Sequence, residues 1–99
     1  MIIIGENKLT LFWEEYHDAK APLQRWRQII SALRCQNFFE LRQTFRSADY
    51  YKGATIFNLG GNKYRLIATV SYQHQFVRVK HVLTHLQYST DKWKRDYDS

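Results

Sequence analysis

From Ala54 to Thr84, apolar and polar residues alternate with a period of two, interrupted only by short turn-forming stretches. Such alternation sends successive side chains to opposite faces of a strand. Three strands are predicted: Ala54 to Asn58, Lys63 to Val70 and Val77 to Thr84. Gly60-Gly61-Asn62 and Gln73-His74 form the turns between them. Glycine and asparagine accept the positive φ that a tight hairpin requires. In the middle strand Tyr64, Leu66, Ala68 and Val70 share one face, and Lys63, Arg65, Ile67 and Thr69 share the other. In the last strand Val77, Val79, His81 and Leu83 alternate against Arg78, Lys80, Val82 and Thr84. Unbroken parity therefore predicts one apolar face, with Lys63, Arg65, Arg78 and Lys80 projecting together from the open face. It also predicts His81 as a packed or partner-facing histidine.

Upstream the period changes from two to 3.6. Ile2 to Ile4 is a β-branched run closed by Gly5, the pattern of a short buried strand. Asn7 is placed to cap a first helix, in which Leu9, Phe12, Trp13 and Tyr16 form one stripe and Glu14, Glu15, His17 and Asp18 lie largely opposite. Pro22 suits the first turn of a second helix striped by Leu23, Trp26, Ile29, Ile30 and Leu33. Arg25, Arg27, Gln28 and Arg34 lie off that stripe and read as a solvated face. Phe38, Leu41 and Phe45 predict a short helix over 38–44, followed by a Ser47-Ala48-Asp49 loop. The tail from Asp91 to Tyr97 predicts a final helical turn or an arm. The expected class is α+β: an N-terminal strand and two helices packed on one face of an antiparallel sheet, in one domain spanning 1–99.

Charge sharpens this picture. The formal charge is +6, and residues 51–99 carry eight Lys/Arg against three Asp/Glu, whereas residues 1–50 carry seven against six. No acid occurs from Tyr50 to Thr90. The excess thus falls on the predicted sheet, which suits an anionic partner such as a nucleic acid. Cys35 is the sole cysteine, so no disulfide framework or cysteine-based zinc site is expected, and it reads as a small core residue. The chain has no HExxH, EF-hand or P-loop pattern, so no metal or nucleotide cofactor is expected. The Met1–Ile4 run is too short for a signal peptide or a membrane span, which leads to the expectation of a cytoplasmic protein.

The block Asn58-Leu59-Gly60-Gly61-Asn62-Lys63-Tyr64-Arg65-Leu66, followed by Thr84-His85-x-x-Tyr88, resembles the HigB toxins of the RelE-like superfamily. Ala21-Pro22-Leu23 with Trp26, and the order of strand, two helices and three strands, fit the same pattern. The resemblance implies a bacterial type II toxin that cuts mRNA in the A site of the translating ribosome. It also implies a HigA-type antitoxin bearing a helix-turn-helix domain. The chain departs from the family's TH-x-EYD ending, reading Thr84-His85-Leu86-Gln87-Tyr88-Ser89 without either acid. A strand position usually held by Arg is Lys80.

Metal-free RNA cleavage needs a group to take the 2′-OH proton, charge to stabilise the phosphorane, and a group to protonate the 5′ oxygen. Lys63, Arg65 and Lys80 are the candidate cations, and Arg65 has the planar fork that can grip two phosphoryl oxygens. Either lysine would serve as a base only if neighbouring cations depressed its pKa. His85 and Tyr88 are candidate proton carriers or positioning groups. Arg78 and Lys52 are candidates for the RNA backbone, Arg78 equally for an acidic antitoxin segment. A non-catalytic basic module, binding RNA or protein through the same face, is the rival reading.

Overall fold

A computed structural model of the chain describes residues 1–98. Strand β1 (Ile2–Ile4) leads into α1 (Asn7–Glu15) through Gly5, whose φ is +89°. A Cβ at Gly5 would lie 3.1 Å from the Val79 carbonyl oxygen, so this turn needs glycine for both conformation and space. A single 3₁₀ turn, His17–Ala19, joins α1 to α2 (Lys20–Ala32), with Pro22 in the first turn as expected. Leu9 and Phe12 of α1 and Leu23, Trp26 and Ile30 of α2 are buried, and Trp26 meets Phe57 edge-on at 5.5 Å. The expected short helix is α3 (Phe38–Thr44), capped by Asn37, whose Oδ1 accepts the Glu40 N–H at 2.9 Å. Cys35 is buried and unbridged.

Five strands form one sheet in the order β1-β5-β4-β3-β2. The three predicted strands are β3 (Ala54–Leu59), β4 (Tyr64–Ser71) and β5 (Phe76–Thr84), paired antiparallel. β1 lies parallel to β5, which makes the sheet mixed rather than wholly antiparallel. β2 (Asp49–Tyr51) occupies the far edge where a loop was expected at Asp49, pairing with β3 across a turn at Lys52 and Gly53. Three residues are too few to display a period of two. The helices cover one face, where Phe57, Leu66, Ala68, Val77 and Val79 complete the main core.

The parity of β5 is broken. Ile67 pairs with His81 and Ala68 with Val79, so Lys80 is the extra residue of a β-bulge. Val77 and Val79 face the helices before the bulge; after it Val82 pairs with Leu66 on that face, and His81 and Leu83 turn to the other. The expectation of four cations on one face is therefore corrected. Arg65 and Arg78 share the open face with His81, Lys80 sits at the bulge, and Lys63 precedes β4 at the hairpin margin. His81 does not pack among the apolar residues facing the helices; its Nε2 is 2.6 Å from the Asp96 carboxylate.

The open face is itself partly roofed. α4 (His85–Ser89) and a 3₁₀ turn over Lys92–Asp96 fold back across it, realising the expected final turn. Trp93, only 4% exposed, packs on Ala54, Ile56 and Ile67. Among the described residues no helix is long and apolar enough to cross a membrane.

Candidate functional site

Gly60, Gly61 and Asn62 all have φ between +61° and +76°, so three successive left-handed residues turn the chain from β3 into β4. Arg65 follows on the open face, only 8% exposed. Its Nη1 donates to the Asn62 and Tyr64 carbonyls at 2.9 and 3.2 Å, which fixes the guanidinium plane. Among the described residues these are its hydrogen bonds, leaving Nη2 and Nε for a ligand. The Tyr88 ring lies over the guanidinium at 5.1 Å. Behind it Trp93 stacks on Tyr88 at 5.4 Å with planes 13° apart, and the Trp93 indole N–H donates to the Tyr88 carbonyl at 3.2 Å.

The Thr84-His85-x-x-Tyr88 stretch has a structural logic. The Thr84 hydroxyl accepts the Gln87 N–H at 3.1 Å, and the Gln87 amide oxygen accepts the Thr84 N–H at 3.0 Å, a reciprocal capping box that starts α4. Gln and Glu serve equally at this position, so Gln87 replaces an acid without losing the cap. The His85 N–H donates to the Lys63 carbonyl at 2.8 Å, tying α4 to the hairpin. Ser89 donates its hydroxyl to the His85 carbonyl at 2.8 Å and lies 3.4 Å from His85 Nδ1. The two halves of the motif, some twenty residues apart in sequence, thus meet in space.

Arg65 and Tyr88 line a polar cleft of about 400 Å³ together with Arg42, Ser47, Asp49 and Asn58. Asn58 donates to the Ser47 carbonyl at 3.2 Å, closing one wall. Arg42, Asp49 and Asn58 were not among the sequence candidates. Asn58 had a signal, because it interrupts the apolar Ile56-Phe57…Leu59 stretch and shares its parity with Ile56. Asp49 is the last acid before the acid-free run, and Arg42 carries no distinguishing pattern.

The other candidates lie outside this cleft. The Lys63 ammonium pairs with Asp18 at 3.1 Å beside a second cavity of about 490 Å³ between α2 and the hairpin. The Tyr64 hydroxyl donates to the same carboxylate. That bond, more than Lys63, holds the Asp18 carboxyl below its ordinary range, and it pushes the Tyr64 phenol up to about 12. Lys80 lines a recess against α1, and its carbonyl accepts from the Lys8 ammonium at 3.0 Å. Arg78 is exposed and pairs with Thr69, about 13 Å along β4 from Arg65 by strand rise. Lys52 pairs with Asp98 at 3.0 Å. His85 is exposed beside the cleft without lining it. Among the described residues no cluster of His, Cys, Asp and Glu is arranged to hold a metal.

Fold and cleft together define a small cationic α+β protein with an arginine-lined polar site on the open face of its sheet. The model of the family described as HigB_toxin, RelE-like toxic component of a toxin-antitoxin system, matches residues 19–91. The chain belongs to that family, which makes it a toxin of a toxin-antitoxin system with an antitoxin as partner. No curated protein gives a sequence match to it.

Proposed function

We propose that this toxin is a metal-independent endoribonuclease that cuts mRNA on the translating ribosome, with the Arg65 cleft as its active site. The observation that carries this reading is the seating of Tyr88 over a nearly buried Arg65. An arginine fixed in plane by two backbone carbonyls is preorganised to grip a phosphoryl group as charge builds on it. Tyr88 beside it would protonate the leaving 5′ oxygen or stack on a base. Arg42 supplies a second cation. Of the remaining candidates, Arg78 and Lys80 would guide the RNA backbone towards the cleft, and His85 would act at its rim. Lys63 and Lys52, each paired with an aspartate, would contribute to RNA attraction once displaced from those partners. The protein would act in the bacterial cytoplasm and be restrained by a HigA-type helix-turn-helix antitoxin.

The test is mapping of mRNA 5′ ends in cells after brief induction. New 5′-OH ends within translated frames support the enzyme. Growth arrest without new ends would instead favour a binding module that blocks translation.

A further inference from the structure

Asp49 supplies the single carboxylate in the lining of the Arg65 cleft. Register places it on the open face: Asp49 pairs with Ile56, and Asn58, two residues along β3, pairs with Arg65. Two strand spacings and two residues of rise put the Asp49 and Arg65 Cα atoms about 12 Å apart. Their charges do not neutralise each other. Among the described residues the ion pairs are Lys52–Asp98, Lys63–Asp18, His81–Asp96 and Lys94–Asp91, and none involves Asp49, Arg42 or Arg65. The Asp49 side chain accepts one hydrogen bond, from its neighbour's N–H (Tyr50) to Oδ1 at 2.8 Å, leaving Oδ2 open. Positions 87 and 89 are Gln and Ser and bring no carboxylate; Gln87 closes the capping box and Ser89 bonds to the His85 carbonyl.

A carboxylate and two guanidinium groups lining one cleft, unpaired, suit a ligand that has a proton to give and an anion to be held. A ribose 2′-OH beside a phosphodiester is such a ligand. We propose that Asp49 is the general base of the cleavage; this inference rests on the endoribonuclease reading. Asp49 takes the proton from the 2′-OH, and the O2′ electron pair forms the bond to phosphorus while Arg65 and Arg42 face the phosphoryl oxygens. The P–O5′ bond breaks, and its electron pair stays on the 5′ oxygen, which receives a proton from Tyr88. The products are a 2′,3′-cyclic phosphate and a 5′-OH. Proton return from Asp49 to Tyr88 through water restores the starting state.

The experiment compares wild type, Asp49→Asn and Asp49→Glu in single-turnover cleavage of labelled mRNA on translating ribosomes. Thermal unfolding and binding to mRNA-programmed ribosomes are measured on the same samples. Asp49→Asn is expected to fold and to bind at least as tightly as wild type, because it removes a negative charge. It is expected to cut about 10²–10⁴-fold more slowly, the usual worth of a positioned base. Asp49→Glu recovers part of the rate. Should Asp49→Asn fail to fold, Asp49→Glu and Asp49→Ser carry the comparison, with activity in the first and not in the second. Asp49→Asn cutting within threefold of wild type overturns the proposal and leaves the endoribonuclease reading intact. Wild type that leaves ribosome-bound mRNA whole overturns both.

Discussion

Replacing Arg65 separates its structural role from its chemical one. In Arg65→Ala the two carbonyls that Nη1 serves lose their charged donor, and Tyr88 loses the cation beneath its ring. A hydrogen bond from a charged group is worth about 1.5–3 kcal/mol and a desolvated cation–π contact about 2 kcal/mol. These contributions overlap at one site, so a net loss of about 2–4 kcal/mol is expected. In a chain of 99 residues that lowers the midpoint by roughly 10–20 °C. Arg65→Lys is the sharper variant. It keeps the charge and one carbonyl contact but has no planar fork, so it should cost about 1 kcal/mol of stability, less than one charged hydrogen bond. If the fork grips the phosphoryl oxygens, cleavage should nevertheless fall about 10²–10³-fold, the cost of removing one preorganised donor. The assay pairs thermal unfolding with single-turnover cleavage on translating ribosomes, and with growth after induction. Folded Arg65→Lys that cuts within threefold of wild type would refute the reasoning.

Trp93→Ala should cost about 3–5 kcal/mol by opening a cavity over Ile56 and Ile67. Trp93→Phe should restore much of the melting temperature, and calorimetry of the two variants checks this. Gln87→Ala should lose about 1 kcal/mol through the broken capping box, while Gln87→Glu should be near neutral; urea unfolding midpoints distinguish them. The phenols of Tyr64, bonded to Asp18, and of the half-buried Tyr72, whose hydroxyl is shielded from water, are both pushed up to about 12. Below pH 10 both states keep these protons; between pH 10 and 12 the unfolded chain releases them first, so stability should fall as pH rises through that window. At the acid end the lowered Asp18 pKa acts in reverse, with its contribution present above its ordinary value of 3.8 and lost as pH falls through the folded value. Tyr64→Phe should flatten both slopes in urea midpoints measured across pH, and unchanged slopes would contradict the pairing.

The alternation that marked β3 and β4 was legible because each strand buries one face from end to end. The helical stripes of α1 and α2 were legible for the same reason. β5 was misread beyond Val79 because strict parity was carried through Lys80-His81, two adjacent polar residues that break the alternation between Val79 and Val82 where the bulge falls. The bulge's extra residue moved His81 to the open face and Lys80 away from it. The Arg65–Tyr88 part of the site was legible because both residues belong to short, specific patterns. Arg42 and Asp49 enter the cleft only through the docking of α3 and of a three-residue edge strand, and neither docking is written in local periodicity. Trp93 roofs the open face from beyond residue 91, where the family match ends.

In the proposed reaction the cleft of Arg65 and Tyr88 breaks the RNA chain by 2′-OH attack. Its most direct test is the chemistry of the ends produced by purified toxin on a translating ribosome programmed with labelled mRNA. A 2′,3′-cyclic phosphate and a 5′-OH are expected, appearing about 10²–10³-fold more slowly with Arg65→Lys. Intact mRNA on stalled ribosomes, or ends carrying 3′-OH and 5′-phosphate, would contradict it.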